Sequence, residues 1–327
     1  GTPAFDKPDD LWSILNWLYP RFWNSYWEYY NTHIMFTSYN GFKQIVGVAN
    51  PEKLHREMAQ FYIRRRKEEV LTDLPEKYYT EITVELTPKQ RRAYDAMKND
   101  MLSWIGTHES EPVAAPVVIA QLTRLQQFAL AHAELTKKKV TRIDETTGQK
   151  YDAFEEKMIL AEPSSKLDAV MDIIDSLDGK QVVIFSQFAQ VIELIASRLA
   201  KKGITCGKFI GATPADERGR IISDFQAGKI QVFAGTIAAG GVGITLTAAD
   251  TVIFTDRAWS NALNLQAEDR LHRIGQKNAV QVIDIIAAKT IDAKRISVIQ
   301  QKWAWVKRLI GDTDFDPEVG DADDYEL

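Results

Sequence analysis

The chain has 327 residues, of which 45% are hydrophobic and 10% aromatic, so it can fill a core and is long enough for two domains. This composition excludes wholesale disorder, and the single cysteine, Cys206, excludes an internal disulfide and favours a reducing compartment. No apolar run approaches the roughly 20 residues of a membrane helix, which argues against a membrane-spanning protein. The formal net charge is -5.

The acidic residues are concentrated at the C-terminal end. Residues 311–327 hold eight acidic side chains and no basic one, so the rest of the chain has 37 acids against 40 bases, a charge of +3. The body is therefore mildly basic and can accept a polyanion. We predict that 311–327 is an acidic disordered tail, which either competes for the basic surface or only aids solubility. The start, Gly1-Thr2-Pro3, has no initiator Met and suggests a fragment or a processed chain.

The first region, residues 1–86, begins with an aromatic stretch of helical spacing from Leu11 to Tyr30. This stretch contains four tryptophans, Trp12, Trp17, Trp23 and Trp27. They could stack on bases, but their helical spacing is better explained by a core between packed helices. Residues 78–86 alternate like a strand. We expect that strand to form an exposed edge or to pair with a neighbour.

The second region, residues 87–163, has a helical pattern. Thr87-Pro88 is a good helix start, and Lys89–Trp104 and Ile119–Leu135 carry helical spacing. The polar stretch 137–149 predicts a mobile connection. We therefore expect a largely helical region before the third one.

The third region, residues 164–305, alternates buried strands with helices. Strands are predicted at 182–185, 206–210, 231–234, 251–255 and 280–286, and helices at 166–177, 187–201, 214–226 and 260–273. This order predicts an α/β fold, a parallel sheet flanked by helices on both faces. Functional groups in such sheets lie at the carboxyl ends of the strands, where we expect the unusual residues of this region.

The most distinctive cluster is the segment QAEDRLHRIGQ at 266–276. On a continuous helix Gln266, Arg270 and Arg273 share one face. Two guanidiniums at this spacing suit the negative charge of a phosphoryl group in transfer. The opposite stripe is predicted to pack on the sheet and consists of Leu263, Ala267, Leu271 and Ile274. A surface helix with Asp/Arg pairs explains the spacing equally well.

Three weaker signals follow predicted strands. The glycine-rich segment 235–246 lets backbone N–H groups approach a phosphate or sugar. Ser186 and Gln187 end a strand and could donate to DNA phosphates, although a helix cap by Ser186 is an equal explanation. Trp259 stands at a strand-to-helix junction, where it either packs or touches DNA.

In this order the segments resemble the Swi/Snf-like family of superfamily-two DNA translocases. The matching text is VVIFSQF, ITCGKFIGATPADERGRIISDFQ, GTIAAGGVGITLTAADTVIFTDRAW and LQAEDRLHRIGQ. Upstream, GTP at the start and FYIRRRKEEVLTDLPEKYYTEITVELTPKQRRAYDAM resemble the end of a first motor lobe and the stretch that bridges the two lobes. The resemblance covers nearly all of residues 1–305. It implies a second RecA-like lobe at 164–305, preceded by the tail of a first lobe and helical protrusions at 1–86 and 87–163.

The resemblance also implies roles for single residues. Arg270 and Arg273 resemble arginine fingers that reach a γ-phosphate, with Gln266 as their polar support. The ATP-binding set is Gly241, Gly243, Arg270 and Arg273. The DNA-binding set is Ser186, Gln187, Thr236, Gly240 and Trp259. The family's usual Trp-Asn-Pro is Trp259-Ser-Asn here, which weakens the assignment of Trp259.

Two parts of an ATP site are missing from the sequence. There is no G-x-x-x-x-G-K-[ST] loop and no strand-end acidic pair for magnesium. In the family these groups lie on the first lobe, so ATP and Mg are expected to be held there and the chain alone is expected to be inactive. The five histidines and one cysteine are scattered, which predicts no metal site.

The leading hypothesis is thus the C-terminal half of an ATP-dependent translocase, with double-stranded DNA and a first motor lobe as partners and a monomeric state. The alternative is a non-catalytic DNA-binding or partner-docking module that keeps the motor fold. A nicotinamide-dependent enzyme is disfavoured because the glycine run lacks the dinucleotide fingerprint. We expect a cytoplasmic setting in a bacterial or viral source, or a nuclear one in a eukaryote.

Overall fold

A computed structural model describes residues 7–39, 42–63, 65, 67–71, 73–107, 115–143, 150–240 and 243–309. The chain divides into two compact units. Unit 1 comprises Gly1–Leu74, Ala258–Gln266 and Lys294–Leu327, and unit 2 comprises Pro75–Arg257 and Ala267–Ala293. The predicted acidic tail at 311–327 lies outside the described residues.

Among the described residues, no helix combines the length and the apolar character needed to cross a bilayer.

Unit 2 is built on a six-stranded, wholly parallel sheet of order β3-β10-β9-β6-β8-β7. Its strands are β3 (Lys77–Val84), β6 (Val182–Ser186), β7 (Cys206–Phe209), β8 (Val232–Thr236), β9 (Thr251–Phe254) and β10 (Val280–Ala287). β6, β8 and β9 are buried at every residue, as expected for central strands covered on both faces. The predicted α/β class and parallel sheet are confirmed.

Four helices of unit 2 pack on this sheet: α7 (Ser165–Ser176), α8 (Ala189–Lys201), α9 (Ala215–Gln226) and α10 (Ile237–Gly240). Two more helices, α11 (Asn261–Glu268) between β9 and β10 and α12 (Ile291–Leu309) after β10, have most of their residues in unit 1. Ser164 starts α7 because its side chain accepts a hydrogen bond from the Leu167 amide at 3.1 Å. The predicted helix at 260–273 is too long, since α11 ends at Glu268.

The strand predicted at 78–86 forms the edge of this sheet. β3 pairs in parallel with β10, with Lys77 opposite Val280 and Val84 opposite Ala287. Its exposed tyrosines, Tyr78 and Tyr79, are each 56% exposed, as an edge position allows. The strand thus lies at the edge of the sheet and pairs with a neighbouring strand, β10, so both expectations hold.

The second region contains a β-hairpin that sequence reasoning missed. Helices α5 (Pro88–Thr107) and α6 (Ala115–Leu130) agree with the helical pattern, but β4 (His132–Ile143) and β5 (Lys150–Ala161) pair antiparallel. The predicted helix to Leu135 and the predicted mobile connection from 137 are therefore wrong over 132–143. Opposite charges across the ladder, such as Lys139 and Asp152 at 2.7 Å, favour the pairing, and the paired Ala133 and Leu160 are buried in the core.

Unit 1 packs short helices and a small hairpin around aromatic side chains. Its elements before residue 74 are a 3-10 turn (Pro8–Asp10), α1 (Leu11–Leu18), α2 (Tyr26–His33), β1 (Ile34–Tyr39), β2 (Phe42–Val48), α3 (Pro51–Met58) and α4 (Lys67–Val70). Trp23 is 5% exposed and belongs to the core with Tyr29 and Leu54, whereas Trp17 is 80% and Trp27 60% exposed. The core interpretation thus holds for only part of the tryptophan set.

Candidate functional site

The carboxyl end of β6 is organised by a buried carboxylate, Asp256. Its oxygens accept hydrogen bonds from the Ser186 hydroxyl at 2.6 Å and from the Gln187 backbone and side-chain N–H groups, both at 3.1 Å. The Gln187 amide also donates to the Arg257 carbonyl at 2.7 Å. Ser186 is fully buried and Gln187 half-buried. The structure brings these two predicted DNA contacts together, and it places the Ser186 hydroxyl behind Gln187 as a support.

The glycine-rich segment begins at the carboxyl end of β8, beside β6. Thr236 ends β8, and Gly240 ends the short helix α10. A Cβ at Gly240 would run into the ring of the buried Phe185, so this position needs glycine for a close approach. Gly243 has φ +66, a left-handed conformation that favours glycine. Gly241 lies outside the described residues.

Arg270 and Arg273 lie on turns after α11, not on a helix. The prediction that Gln266, Arg270 and Arg273 share one helical face is therefore wrong, and Ile274, predicted to pack, is 74% exposed. The physical reason is that tertiary hydrogen bonds replace helical ones: the Arg270 carbonyl accepts from the Leu246 amide at 2.8 Å. We call residues 269–276 the arginine segment.

The arginine segment lies at the amino ends of β9 and β10, whereas we predicted the carboxyl ends. The side chain of Gln276 donates to the Ala249 carbonyl at 2.8 Å, just before β9 begins at Thr251. Arg273 Nη1 lies 3.4 Å from the Thr245 hydroxyl. Parallel strands require each connection to return to the starting edge, so α11 carries the chain back from the carboxyl end of β9.

The electrostatics of the arginine segment favour an anion. Partial burial, together with the neighbouring charge of Arg273, lowers the pKa of the Arg270 guanidinium, and Asp269 opposes this shift. Arg270 is half-buried and Arg273 exposed. A phosphate at this place would relieve the repulsion between the two guanidiniums and gain charge-assisted hydrogen bonds from them.

Gln266 and Trp259 belong to unit 1. Gln266 is half-buried on the last turn of α11. Trp259 precedes that helix in a loop fixed by Asn264, whose side chain accepts from the Ala258 amide at 2.8 Å and donates to the Ala258 carbonyl at 2.9 Å. The junction predicted from the sequence is thus a rigid turn with Trp259 half-buried.

Sequence reasoning missed an ionic cluster around the buried carboxylate of Glu268 in unit 2. We call it the Glu268 cluster, and its members are Lys77, Tyr79, Arg257, Glu268 and Asp284. Arg257 donates twice to Asp284, at 2.6 and 2.8 Å, and once to Glu268 at 2.6 Å. The other Glu268 oxygen accepts from Lys77 at 3.0 Å and from the Tyr79 hydroxyl at 2.9 Å. Burial would raise the pKa of Glu268, but Arg257 and Lys77 outweigh it and hold that pKa below its usual range.

A second buried pair supports the end of β9. Lys166 is fully buried, donates to the Thr255 carbonyl at 2.7 Å and lies 2.5 Å from Asp292. The sequence does contain a signal for the Glu268 cluster and for the Lys166–Asp292 pair, because each includes a charged residue beside an apolar strand or at a helix start. Their partners are distant in sequence, so only the fold identifies them.

Within the part of the chain that the structure describes, no three His, Cys, Asp or Glu side chains are grouped to hold a metal ion.

Comparison with known proteins decides the family. The family model of the helicase conserved C-terminal domain matches residues 165–275, and that of the SNF2-related domain matches residues 1–143. The chain belongs to the Swi/Snf-like family of helicase superfamily two. The two matches to this Swi/Snf-like chain cover β3, the strands β6 to β9 and the arginine segment as far as Gly275.

Individual relatives agree with this assignment. An uncharacterized ATP-dependent helicase of Mycoplasma genitalium is 32% identical over 96% of the chain and 28% of its own length. The chromatin structure-remodeling complex subunit snf21 of Schizosaccharomyces pombe is 27% identical over 92% of the chain and 25% of its own length. The Swi/Snf-like chain thus spans about a quarter of the length of these relatives.

Solved structures share the fold. The Sulfolobus solfataricus SWI2/SNF2 ATPase core domain is 26% identical, with a TM-score of 0.52 over 94% of this chain and 58% of that one. The C-terminal part of the Fun30 ATPase domain is 20% identical, with a TM-score of 0.54 over 69% of this chain and 90% of that one. The sheet of the Swi/Snf-like chain is therefore RecA-like, as predicted.

Proposed function

We propose that the chain supplies the second motor lobe of an ATP-dependent translocase on double-stranded DNA. The observation that carries the proposal is the path of the glycine-rich segment. It leaves β8 at Thr236, on the edge that holds Gln187, and reaches Thr245 and Leu246 beside the arginine segment. One stretch of chain therefore joins the two opposite edges of the sheet.

In this proposal the arginine segment acts on ATP. Arg270 and Arg273 stabilise the charge that develops on the γ-phosphate, with Gln266 in support and Gly241 and Gly243 allowing close approach. ATP and its Mg²⁺ are held mainly by a first lobe, because the chain has no phosphate-binding loop. It follows that the chain alone hydrolyses ATP poorly.

In the same proposal, the carboxyl ends of β6 and β8, on the side of the sheet opposite the arginine segment, contact DNA. Gln187, Thr236 and Gly240 contact the sugar-phosphate backbone there, and Ser186 acts by holding Asp256 and thereby Gln187. Trp259, in unit 1, is a separate proposed DNA contact. Backbone contacts of this kind are tolerant of sequence and weaken with salt. The relatives come from both Mycoplasma and yeast, so the cytoplasmic location of the chain stays a prediction. The monomeric state stays a prediction as well.

The test is ATP hydrolysis with duplex DNA by the chain alone, by the chain mixed with a separately made first lobe, and by the intact protein. We expect no turnover alone and DNA-stimulated turnover in the other two. Arg273→Ala should lower kcat by about 10³-fold or more. Arg220→Ala is the matched control, because Arg220 is an exposed arginine on α9. Turnover by the chain alone would refute the half-site proposal.

The docking-module alternative makes the opposite prediction for the same variant. If the chain only docks to DNA or a partner, Arg273→Ala leaves the function of the intact protein unchanged. DNA binding measured between 50 and 200 mM salt then identifies a module that docks only to a partner protein, because the translocase and a DNA-docking module both require an affinity for DNA that falls steeply over this range.

A further inference from the structure

Glu268 is held at both its backbone and its side chain, immediately before the two arginines. Its carbonyl accepts hydrogen bonds from the Leu271 amide at 3.0 Å and the His272 amide at 3.1 Å, which closes the turn that carries Arg270. Its carboxylate is 2% exposed and uses both oxygens within the Glu268 cluster. A shift of the Glu268 carboxylate would therefore also shift the turn that carries Arg270.

The cluster is anchored on one face of the sheet. Lys77 and Tyr79 pair with Val280 and Val282, so alternation along both strands places them on the same face as Asp284. Arg257 lies over the Phe254 ring, with 3.7 Å to its centroid, and bridges Asp284 to Glu268. Two cations face two carboxylates, so the charges balance and none is left buried alone.

We propose that the Glu268 cluster positions the arginine segment for catalysis, with Glu268 as the central positioning residue. This inference rests on the proposed role of Arg270 and Arg273. Apolar side chains in place of the cluster could stabilise the sheet equally well, but they would not orient the turn. A bidentate ion pair and directed hydrogen bonds allow only one geometry of the turn. None of the five residues is a catalytic residue in this proposal.

Two further contacts extend the cluster's reach. The Pro75 carbonyl, two residues before Lys77, lies 2.6 Å from the His272 ring nitrogen Nε2, so the start of β3 holds the arginine segment directly as well. At the other end, the Arg257 carbonyl accepts from the Gln187 side chain at 2.7 Å. The cluster thus connects the proposed DNA-contact edge with the arginine segment through side chains, separately from the glycine-rich segment.

Adjacent tyrosines provide a matched pair of variants. Tyr79→Phe deletes the hydroxyl that donates to Glu268, and Tyr78→Phe deletes one that donates to the surface carboxylate of Glu76 at 2.7 Å. Both tyrosines are 56% exposed and lie on the same strand. Lys77→Met is the stronger variant, because it removes the charge that pairs with Glu268.

Two measurements are made on each variant. Hydrogen exchange of the 327-residue chain reports the protection of the amides in 269–273 and needs no ATP turnover. Steady-state kinetics of the intact protein with saturating duplex DNA report kcat and the KM for ATP. For Tyr79→Phe we expect exchange in 269–273 to rise, and kcat to fall, by about threefold to tenfold. The KM for ATP and exchange elsewhere in the sheet should stay unchanged, and Tyr78→Phe should match the wild type in both measurements.

The outcomes separate the inference from the proposed function. If Arg270→Ala and Arg273→Ala leave turnover intact, the proposed function fails. If those variants abolish turnover while Tyr79→Phe and Lys77→Met preserve kcat and exchange, only the positioning inference fails. It also fails if Lys77→Met raises exchange uniformly across the sheet, which is the result of a purely structural role.

Discussion

Gly240→Ala tests the close approach between the glycine-rich segment and the sheet. The new Cβ would meet three atoms of the Phe185 ring, with Cε1 the nearest, Cζ at 3.0 Å and Cδ1 at 3.5 Å. Phe185 is fully buried between Phe233 and Phe254, at ring-centroid distances of 6.3 and 5.7 Å, so the ring cannot move aside freely. Overpacking of this kind costs about 1–3 kcal/mol. Alanine in place of a helical glycine returns about 0.5–1 kcal/mol, which leaves a net loss of about 0.5–2 kcal/mol.

The assay is a double-mutant cycle on the free energy of unfolding, measured by urea denaturation. Phe185→Leu shortens the obstructing side chain, so in its background Gly240→Ala should no longer destabilise the protein, and the coupling energy should equal the overpacking cost of about 1–3 kcal/mol. Gly243→Ala is the control, because its added Cβ meets no atom within 4 Å and its φ of +66 alone costs about 1–2 kcal/mol. An equal cost of Gly240→Ala in both backgrounds would refute the reasoning.

The remaining predictions concern a buried ion pair, a half-exposed ion pair and the thiol of Cys206. Lys166→Met leaves Asp292 buried without its cation and should lower the free energy of unfolding by about 3–5 kcal/mol. Lys208→Met, which breaks a half-exposed pair with Glu193, should cost less than about 1 kcal/mol in the same urea titration. Burial raises the pKa of Cys206 to about 12, so alkylation at pH 8, followed by mass spectrometry, should be about a thousandfold slower than for an unfolded thiol. Because this pKa lies above its unfolded value of about 8.5, the contribution of Cys206 to stability is complete below that pH and is lost as pH rises toward 12, and Cys206→Ala should flatten this decline.

The sheet of unit 2 could be predicted from the sequence because its signals are local. Short apolar runs such as Val182–Ser186 and Val232–Thr236 are bounded by turn residues and separated by helical patterns. The hairpin of residues 132–161 was missed because β4 carries three consecutive lysines, 137–139, that hide its strand alternation, and because its stabilising partners lie across the ladder. Lys139 finds Asp152 only once the strands are paired.

The candidate site was predictable in its residue types and not in its geometry. Helical spacing placed Arg270 and Arg273 on one face, but it could not show that the Arg270 carbonyl bonds to Leu246 instead of continuing the helix. The same limit applies to Arg257, whose partners Glu268 and Asp284 lie on different elements. Contacts of this kind are fixed by tertiary structure, which periodicity does not encode.

The predicted DNA contacts around Gln187 and the arginine segment lie at opposite ends of the strands, and this placement follows from the parallel direction of the strands. Since every strand of the sheet is parallel, a connection that starts at the DNA-contact edge must end at the other edge. Between β8 and β9 this connection is the glycine-rich segment, and between β9 and β10 it is α11 with Glu268 at its end. Both connections leave beside Gln187 or its partner Asp256, and both arrive at the arginine segment. Through these two connections, which we call routes, the chain joins the first edge to the second. Gly240→Ala perturbs one route and Tyr79→Phe the other, so their effects on DNA-stimulated turnover should add if the routes are independent.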